Sequence, residues 1–331
     1  MPLINCGDPS IDARLETLLR EGVAFSLFSL AFRARVEFRG EVSHAPRGAG
    51  VSFTGPARLT APFDLEAAID LWVDAAGNYE LRFALPAVAA MFDAHVRPRL
   101  APAQRARFDQ LVRPYQLALA GAAVKVGGAG CSFARVVALE EVSPTRELCR
   151  SFPAAGLASR GLPLELVCPP GPGFEFAITG GVEVDAALDP AVTLERVSVS
   201  VVPDSRDLFV GAGCRFALRV GGEALVCTGG LEPGGGGATL RGAPAGEVWA
   251  RPFACEGLTL VGLRLRIGAG QAGLKVGLEG VARLDERVFD AELALAYEVA
   301  DPSRAVLRVI TRTGLELGGL LSALIDPSHV P

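Results

Sequence analysis

Histidine is the side chain best suited to moving protons near neutrality, and this chain has three: His44, His95 and His329. His44 falls in a turn-like stretch, His95 in a segment of helical spacing, and His329 two residues from the last position. None stands at a metal-ligand spacing from another donor. Cysteines 6, 131, 149, 168, 214, 227 and 255 are scattered, with no C-x-x-C pair for zinc or dithiol exchange. They read as small buried thiols in a reducing compartment. Glu183 and Asp185 project from one side of a strand and Glu140 adjoins Glu141. Two-carboxylate glycoside chemistry needs such a pair to share a cleft, and solvated strand faces explain both more simply. The chain has no G-x-S-x-G turn for a nucleophilic serine. "PGGGG" at 233–237 lacks the Lys-Ser/Thr of a phosphate loop, and "GAGQAG" at 268–273 is followed by strand alternation, which makes it a hairpin loop. The expectation is a protein without catalytic residues, metal or cofactor.

The elements that would position such residues follow from composition and period. Half of the 331 residues are hydrophobic and 21% are charged, with a net charge of −5. An acidic balance disfavours a general nucleic-acid binder. A spanning helix needs about 18 consecutive apolar residues, and every apolar run here is interrupted sooner, so no transmembrane segment is expected. "MPLINCGDPSIDARLETLL" lacks a basic start and an apolar core, so no secretory signal is read and a cytoplasmic location is expected. Ser10 is the expected cap of a short N-terminal helix, "IDARLETLLREG", with Leu15, Leu18 and Leu19 on one face and Gly22 as its stop.

Beyond Gly22 the period drops to two. "SLAFRARVEFRGEV" sets Leu30, Phe32, Ala34, Val36 and Phe38 against Arg33, Arg35, Glu37 and Arg39, the pattern of a half-buried strand. "HAPRGAG" reads as turn material, and further strands follow to Leu85. Between residues 87 and 119 the spacing becomes helical at Phe108, Leu111, Val112 and Tyr115, with Pro98, Pro102 and Pro114 bounding the pieces. This insertion is locally basic: Arg97, Arg99, Arg105, Arg107 and Arg113 accompany only Asp93 and Asp109. It is a candidate contact for anionic headgroups or an acidic partner, as a peripheral membrane segment would be.

Strands resume and dominate to the end. In "GLTLVGLRLRIGAGQAGLKVGLEGVARL", residues 257 to 284, Leu263, Leu265 and Ile267 alternate with Arg264 and Arg266, and Leu274 and Val276 continue the apolar side. Trp72, Phe83, Trp249, Phe253, Leu263, Leu265, Ile267, Leu274 and Val276 are expected to line an apolar interior. Phe32 falls near Phe216, Phe63 on Phe253 and Leu71 near Leu263, an offset of roughly 184 to 192 such as a duplication would leave. "GLPLELVCPPGPGF" is the expected joint. The fold class is therefore mainly β: long antiparallel amphipathic meanders in two pseudo-repeated halves, with a helical insertion and a short N-terminal helix. Residues 1–160 form the first β module and 161–331 the second. The expected function is a non-catalytic binding protein with an apolar groove or cavity for a lipid-like ligand. The alternative is a structural scaffold whose sheets leave no cavity.

The last 100 residues carry W-x-x-P-F at Trp249, Pro252 and Phe253, paired amphipathic strands and a closing segment from Leu315 to Leu321. This resembles the repeat unit of long β-rich bacterial, algal and fungal proteins of unknown function, and the resemblance brings no catalytic residue with it. In outline alone, duplicated β halves with added helices are also similar to tubular lipid-binding proteins.

Overall fold

The computed structural model describes residues 4–311, apart from 129, 172–173, 204–207, 221–222, 235–236, 253–257, 271–272, 285–286 and 299–300. The chain is mainly β with a short N-terminal helix and a helical insertion. Its residues group into two units: one of 1–137, 161–180 and 200–210, the other of 138–160, 181–199 and 211–331. The closing segment Leu315–Leu321, His329, Phe253 and Cys255 lie outside the described residues.

In the first unit, α1 (Pro9–Glu21) begins two residues earlier than its sequence suggests. Asp8, not Ser10, is the cap: its Oδ1 accepts from the Ser10 and Ile11 amides at 2.9 and 3.3 Å, and Pro9, which has no amide to satisfy, takes the first helical position. Gly22, at φ 89°, ends the helix as expected. β1 (Val23–Leu27) and β2 (Leu30–Ala34) form a hairpin. The stretch read as one strand breaks at Arg35, whose amide turns to Thr60 Oγ1 at 2.9 Å, and β3 (Val36–Phe38) pairs elsewhere, with β5 (Gly50–Leu59). β4 (Ser43–Arg47) also pairs with β5, so "SHAPR" is strand rather than turn. Its five side chains are all exposed, so it carries no apolar alternation to reveal it.

β5, β6 (Leu65–Asp74), β7 (Tyr79–Leu85), β8 (Ala122–Gly127) and β9 (Gly130–Ala138) make an antiparallel meander. Register sorts its side chains into rows. Phe53, Leu71, Leu81, Val126 and Cys131 stand opposite one another in turn, and Ile69, Phe83, Val124 and Phe133 form the next apolar row. All nine are buried.

The insertion contains α2 (Val88–Met91), a π turn over 92–96, and α3 (Pro102–Leu111), flanked by short 3-10 turns. Pro102 occupies the first position of α3, as its fixed φ allows. The insertion contributes Phe92, Phe108, Leu111, Val112 and Tyr115 to the core. Phe92 stands edge-on to Phe133 of β9 at 5.2 Å, and Phe28 meets Phe92 and Phe108 at 5.6 and 5.2 Å. Each such pair adds about 0.5–1.5 kcal/mol beyond its buried area.

"GLPLELVC", read from its prolines as part of a joint, is strand β10 (Gly161–Cys168). Leu162, Leu164, Leu166 and Cys168 point inward, and Pro163 occupies an exposed position where its missing amide is harmless. β10 lies beside β9 in strand order and pairs with β11 (Ala177–Asp189). Phe174 and Phe176, just before β11, pack on Phe28 at 5.6 and 5.7 Å.

In the second unit, α4 (Ser143–Ser151) packs on the sheet formed by later strands. The later strands are β12 (Val192–Pro203), β13 (Leu208–Val220), β14 (Glu223–Gly234), β15 (Gly237–Pro244), β16 (Val248–Ala250), β17 (Leu258–Gly270), β18 (Gly273–Leu284), β19 (Arg287–Glu298) and β20 (Asp301–Thr311), of which α4 touches β14 and β15, while residues 200–203 and 208–210 group with the first unit. From β17 to β20 each strand pairs antiparallel with the next, and Gly268, Ala269, Gly270 and Gly273 of "GAGQAG", expected as a loop, belong to the paired strands β17 and β18. One row runs Cys214, Gly229, Gly242, Leu265, Leu278 across five strands, and the next runs Ala212, Leu231, Leu240, Ile267, Val276. Glycine is required at position 229, where a Cβ would overlap the Arg241 carbonyl oxygen. Ser151 of α4 accepts the Ala238 amide on Oγ at 2.7 Å, tying helix to sheet.

Candidate functional site

Of the nine residues expected to line an apolar interior, Phe253 lies outside the described residues and the other eight fall into three groups. Leu263, Leu265 and Ile267 have no exposed surface, and Leu274 and Val276 of the partner strand are almost as deep. Ile267 faces Val276 directly, and Leu265 faces Leu278. Trp249 is buried on β16 opposite Leu260, and Phe83 is buried in the first unit against Phe63 at 4.6 Å. Trp72 differs: its neighbours Leu71 and Val73 are buried on the inner face, so strand parity puts the indole on the outer one.

That outer face carries a cleft of about 540 Å3, lined among others by Trp72, Asn78, Glu80, Lys125, Ser132 and Glu165. Cross-strand register explains the hollow. The row containing Trp72 runs Ser52, Trp72, Glu80, Gly127, Gly130, so two facing glycines follow two large side chains. Gly130, at φ 108°, is confined to glycine because a Cβ would overlap the Cys168 carbonyl oxygen. The indole is fixed: its N–H donates to the Arg47 carbonyl at 2.9 Å, and a Cβ at Gly50 would lie 2.7 Å from its nitrogen, so the ring is seated where Gly50 leaves room.

Beside it, Glu80 is the centre of an ion-pair network. Oε1 accepts from Arg82 Nε at 2.6 Å and from Arg47 at 3.2 Å, and Lys125 Nζ lies 2.7 Å from Oε2. Arg47 also reaches Asp70 at 3.4 Å. Partial burial acts to raise the Glu80 pKa, but hydrogen bonds from Lys125 and Arg82, with their charges, outweigh it and hold the carboxyl below its ordinary range. Asn78 donates its backbone amide and Nδ2 to Asp74 at 2.8 Å each, which holds the turn at the cleft edge. Asp74 is correspondingly held low, chiefly by the Asn78 side chain. Among the described residues, Ser132 and Glu165 have no side-chain partner.

The basic insertion is largely occupied with its own structure. Arg97 grips Asp109 with two bonds of 2.7 and 2.8 Å, which lowers the Asp109 pKa and raises that of Arg97. Arg99 lies 4.4 Å over the Phe32 ring and donates to the Ala31 carbonyl. Arg105 donates to the Pro98 and Leu100 carbonyls. Arg107 and Arg113 remain exposed, with no ion pair among the described residues.

His44 stands 6.3 Å from the Phe53 ring, and Glu183 pairs with Arg196 at 3.6 Å. Burial pushes the thiols of Cys214 and Cys227 up to about 12 and raises those of Cys131 and Cys168, so these cysteines stay protonated and unreactive. No cluster of three or more His, Cys, Asp or Glu able to hold a metal occurs among the described residues, and no helix among them is long and apolar enough to cross a membrane. Comparison with protein-family models, with curated proteins and with solved structures finds no match to this chain.

Proposed function

We propose that the protein is a non-catalytic β scaffold whose sheets close over their own apolar faces. The observation that carries this reading is the complete burial of Leu263, Leu265 and Ile267, side chains that have no surface left to offer an acyl chain. In the first unit, Phe28, Phe92, Phe108 and Phe133 likewise fill the space over the apolar rows. Close packing of this kind stabilises a fold and leaves no room for a ligand. The duplication belongs to the same proposal: the meander after Phe63 and the meander after Pro252 repeat one design. So does a cytosolic setting, in which buried unpaired thiols remain reduced. Peripheral contact with an anionic surface would rest on Arg107 and Arg113.

Binding of a lipid-like ligand is the competing reading, supported by the length of the apolar faces: β17 alone has 13 residues. Organic extraction of the purified protein followed by mass spectrometry separates the two. The scaffold reading expects no lipid at stoichiometric level, whereas one acyl lipid per chain would replace it.

A further inference from the structure

We infer that the cleft on the outer face of β6 to β10 is a binding site for a neutral saccharide. The inference goes beyond the scaffold reading and stands on separate residues.

Three features select the ligand class. The first is a fixed aromatic wall. Trp72 has already committed its N–H to the Arg47 carbonyl and is seated at Gly50, so it presents ring surface to the cleft without an unsatisfied donor and without rotamer freedom to lose. The second is the set of unused polar groups around that wall. Among the described residues Glu165 and Ser132 have no side-chain partner and the Asn78 Oδ1 oxygen accepts no hydrogen bond, while Lys125 spends one of its three donors on Glu80. Acceptors and donors thus alternate around an aromatic surface, as the hydroxyls and C–H face of a sugar ring require.

The third is charge. Both Glu80 oxygens are occupied by Arg47, Arg82 and Lys125, and Arg47 is shared with Asp70. An anion entering the cleft meets Glu165 and Glu80. A cation meets Lys125, with Arg47 and Arg82 behind it on Glu80. A neutral ligand with many hydroxyls escapes both and uses every free group. A volume of about 540 Å3 also lies in the range of small-ligand sites, about 300–1,000 Å3.

The chain has only two tryptophans, Trp72 and Trp249, which makes the test direct. In a Trp249→Phe protein, emission reports Trp72 alone. Maltotriose, cellotriose and chitotriose, titrated separately to about 10 mM, cover affinities down to the weakest useful range. At least one of them should give a saturable change, confirmed calorimetrically on the unmodified chain. A Cβ at Gly128 meets nothing within 4 Å, so Gly128→Phe keeps the fold while blocking the cleft. That variant and Glu165→Gln should each weaken binding at least tenfold. Absence of saturable binding to all three sugars, binding that Gly128→Phe leaves intact, or tighter binding of a heparin disaccharide or trilysine would each overturn the assignment. None of these outcomes bears on the lipid content that tests the scaffold reading.

Discussion

Glu80 joins three cations that lie 33, 2 and 45 residues away in sequence, and its side chain is only 18% exposed. Glu80→Gln keeps the shape, removes the charge and leaves Arg47, Arg82 and Lys125 facing one another. We expect a loss of about 1.5 kcal/mol near neutral pH, the lower end of the range for hydrogen bonds to a charged group because the three cations are partly exposed. The pH dependence has a definite sign. A carboxyl held below its ordinary value stabilises the fold fully above that value, about 4.3, and loses this contribution as pH falls through the lower folded pKa. The gap between wild-type and Glu80→Gln urea midpoints should therefore be full at pH 7 and shrink by about pH 3; an unchanged gap would refute the role given to Glu80. In the sequence Glu80 is one polar position among many on an outer strand face, and only register reveals its partners. The signal for Trp72 was present: it falls between Leu71 and Val73, so alternation alone assigns it to the outer face, against the pull of its apolar character.

Elements were most legible where alternation was longest. The buried set Leu263, Leu265, Ile267, Leu274 and Val276 follows directly from period two, and the insertion over 87–119 from its change of period. Elements without that signal were not legible. β4 is exposed along its whole length, β10 is disguised by Pro163, and α4 is a nine-residue helix whose Leu148 and Cys149 are too few to set a period. α4 is held at its start by Thr145, whose hydroxyl donates to the Leu139 and Val142 carbonyls, a local contact that spacing does not announce. β17 itself is interrupted by a bulge between Val261 and Arg264, with Gly262 at φ 63°, which switches the buried parity from Leu260 to Leu263, Leu265 and Ile267, where strict alternation resumes. Substitution at the two parities should give opposite results. Leu265→Asp places an unpaired charge on a side chain with no exposure and should abolish soluble expression. Arg264→Ala, on the exposed side, should change stability by less than about 0.5 kcal/mol. A soluble, cooperatively unfolding Leu265→Asp protein would mean that the faces are reversed.

At the scale of the whole molecule, the chain order and the packing order differ, and this yields a prediction about fragments. Residues 161–180 belong with the first unit, and residues 138–160 with the second. In the first unit Phe28 is fully buried, and Phe174 and Phe176 provide two of its four ring contacts among the described residues. β10 supplies Leu162, Leu164 and Leu166 to the buried side and the Glu165 wall of the cleft. A fragment ending at residue 160 loses all of these, and at about 1.5–3 kcal/mol for each large apolar side chain withdrawn from the core, the deficit is comparable with the 5–15 kcal/mol that holds a typical domain together. A fragment starting at residue 161 loses α4, including buried Leu148 and Cys149 and the Ser151 hydroxyl that receives the Ala238 amide. Residues 1–160 and 161–331 expressed separately should therefore each give poorly dispersed amide spectra and no cooperative thermal transition, while the intact chain gives both. Extending the first fragment to residue 180 should restore part of the dispersion, because it returns β10 and both phenylalanines to their places. Native-like dispersion in the fragment that stops at 160 would show that the inner rows of β5 to β9 and the insertion suffice without β10.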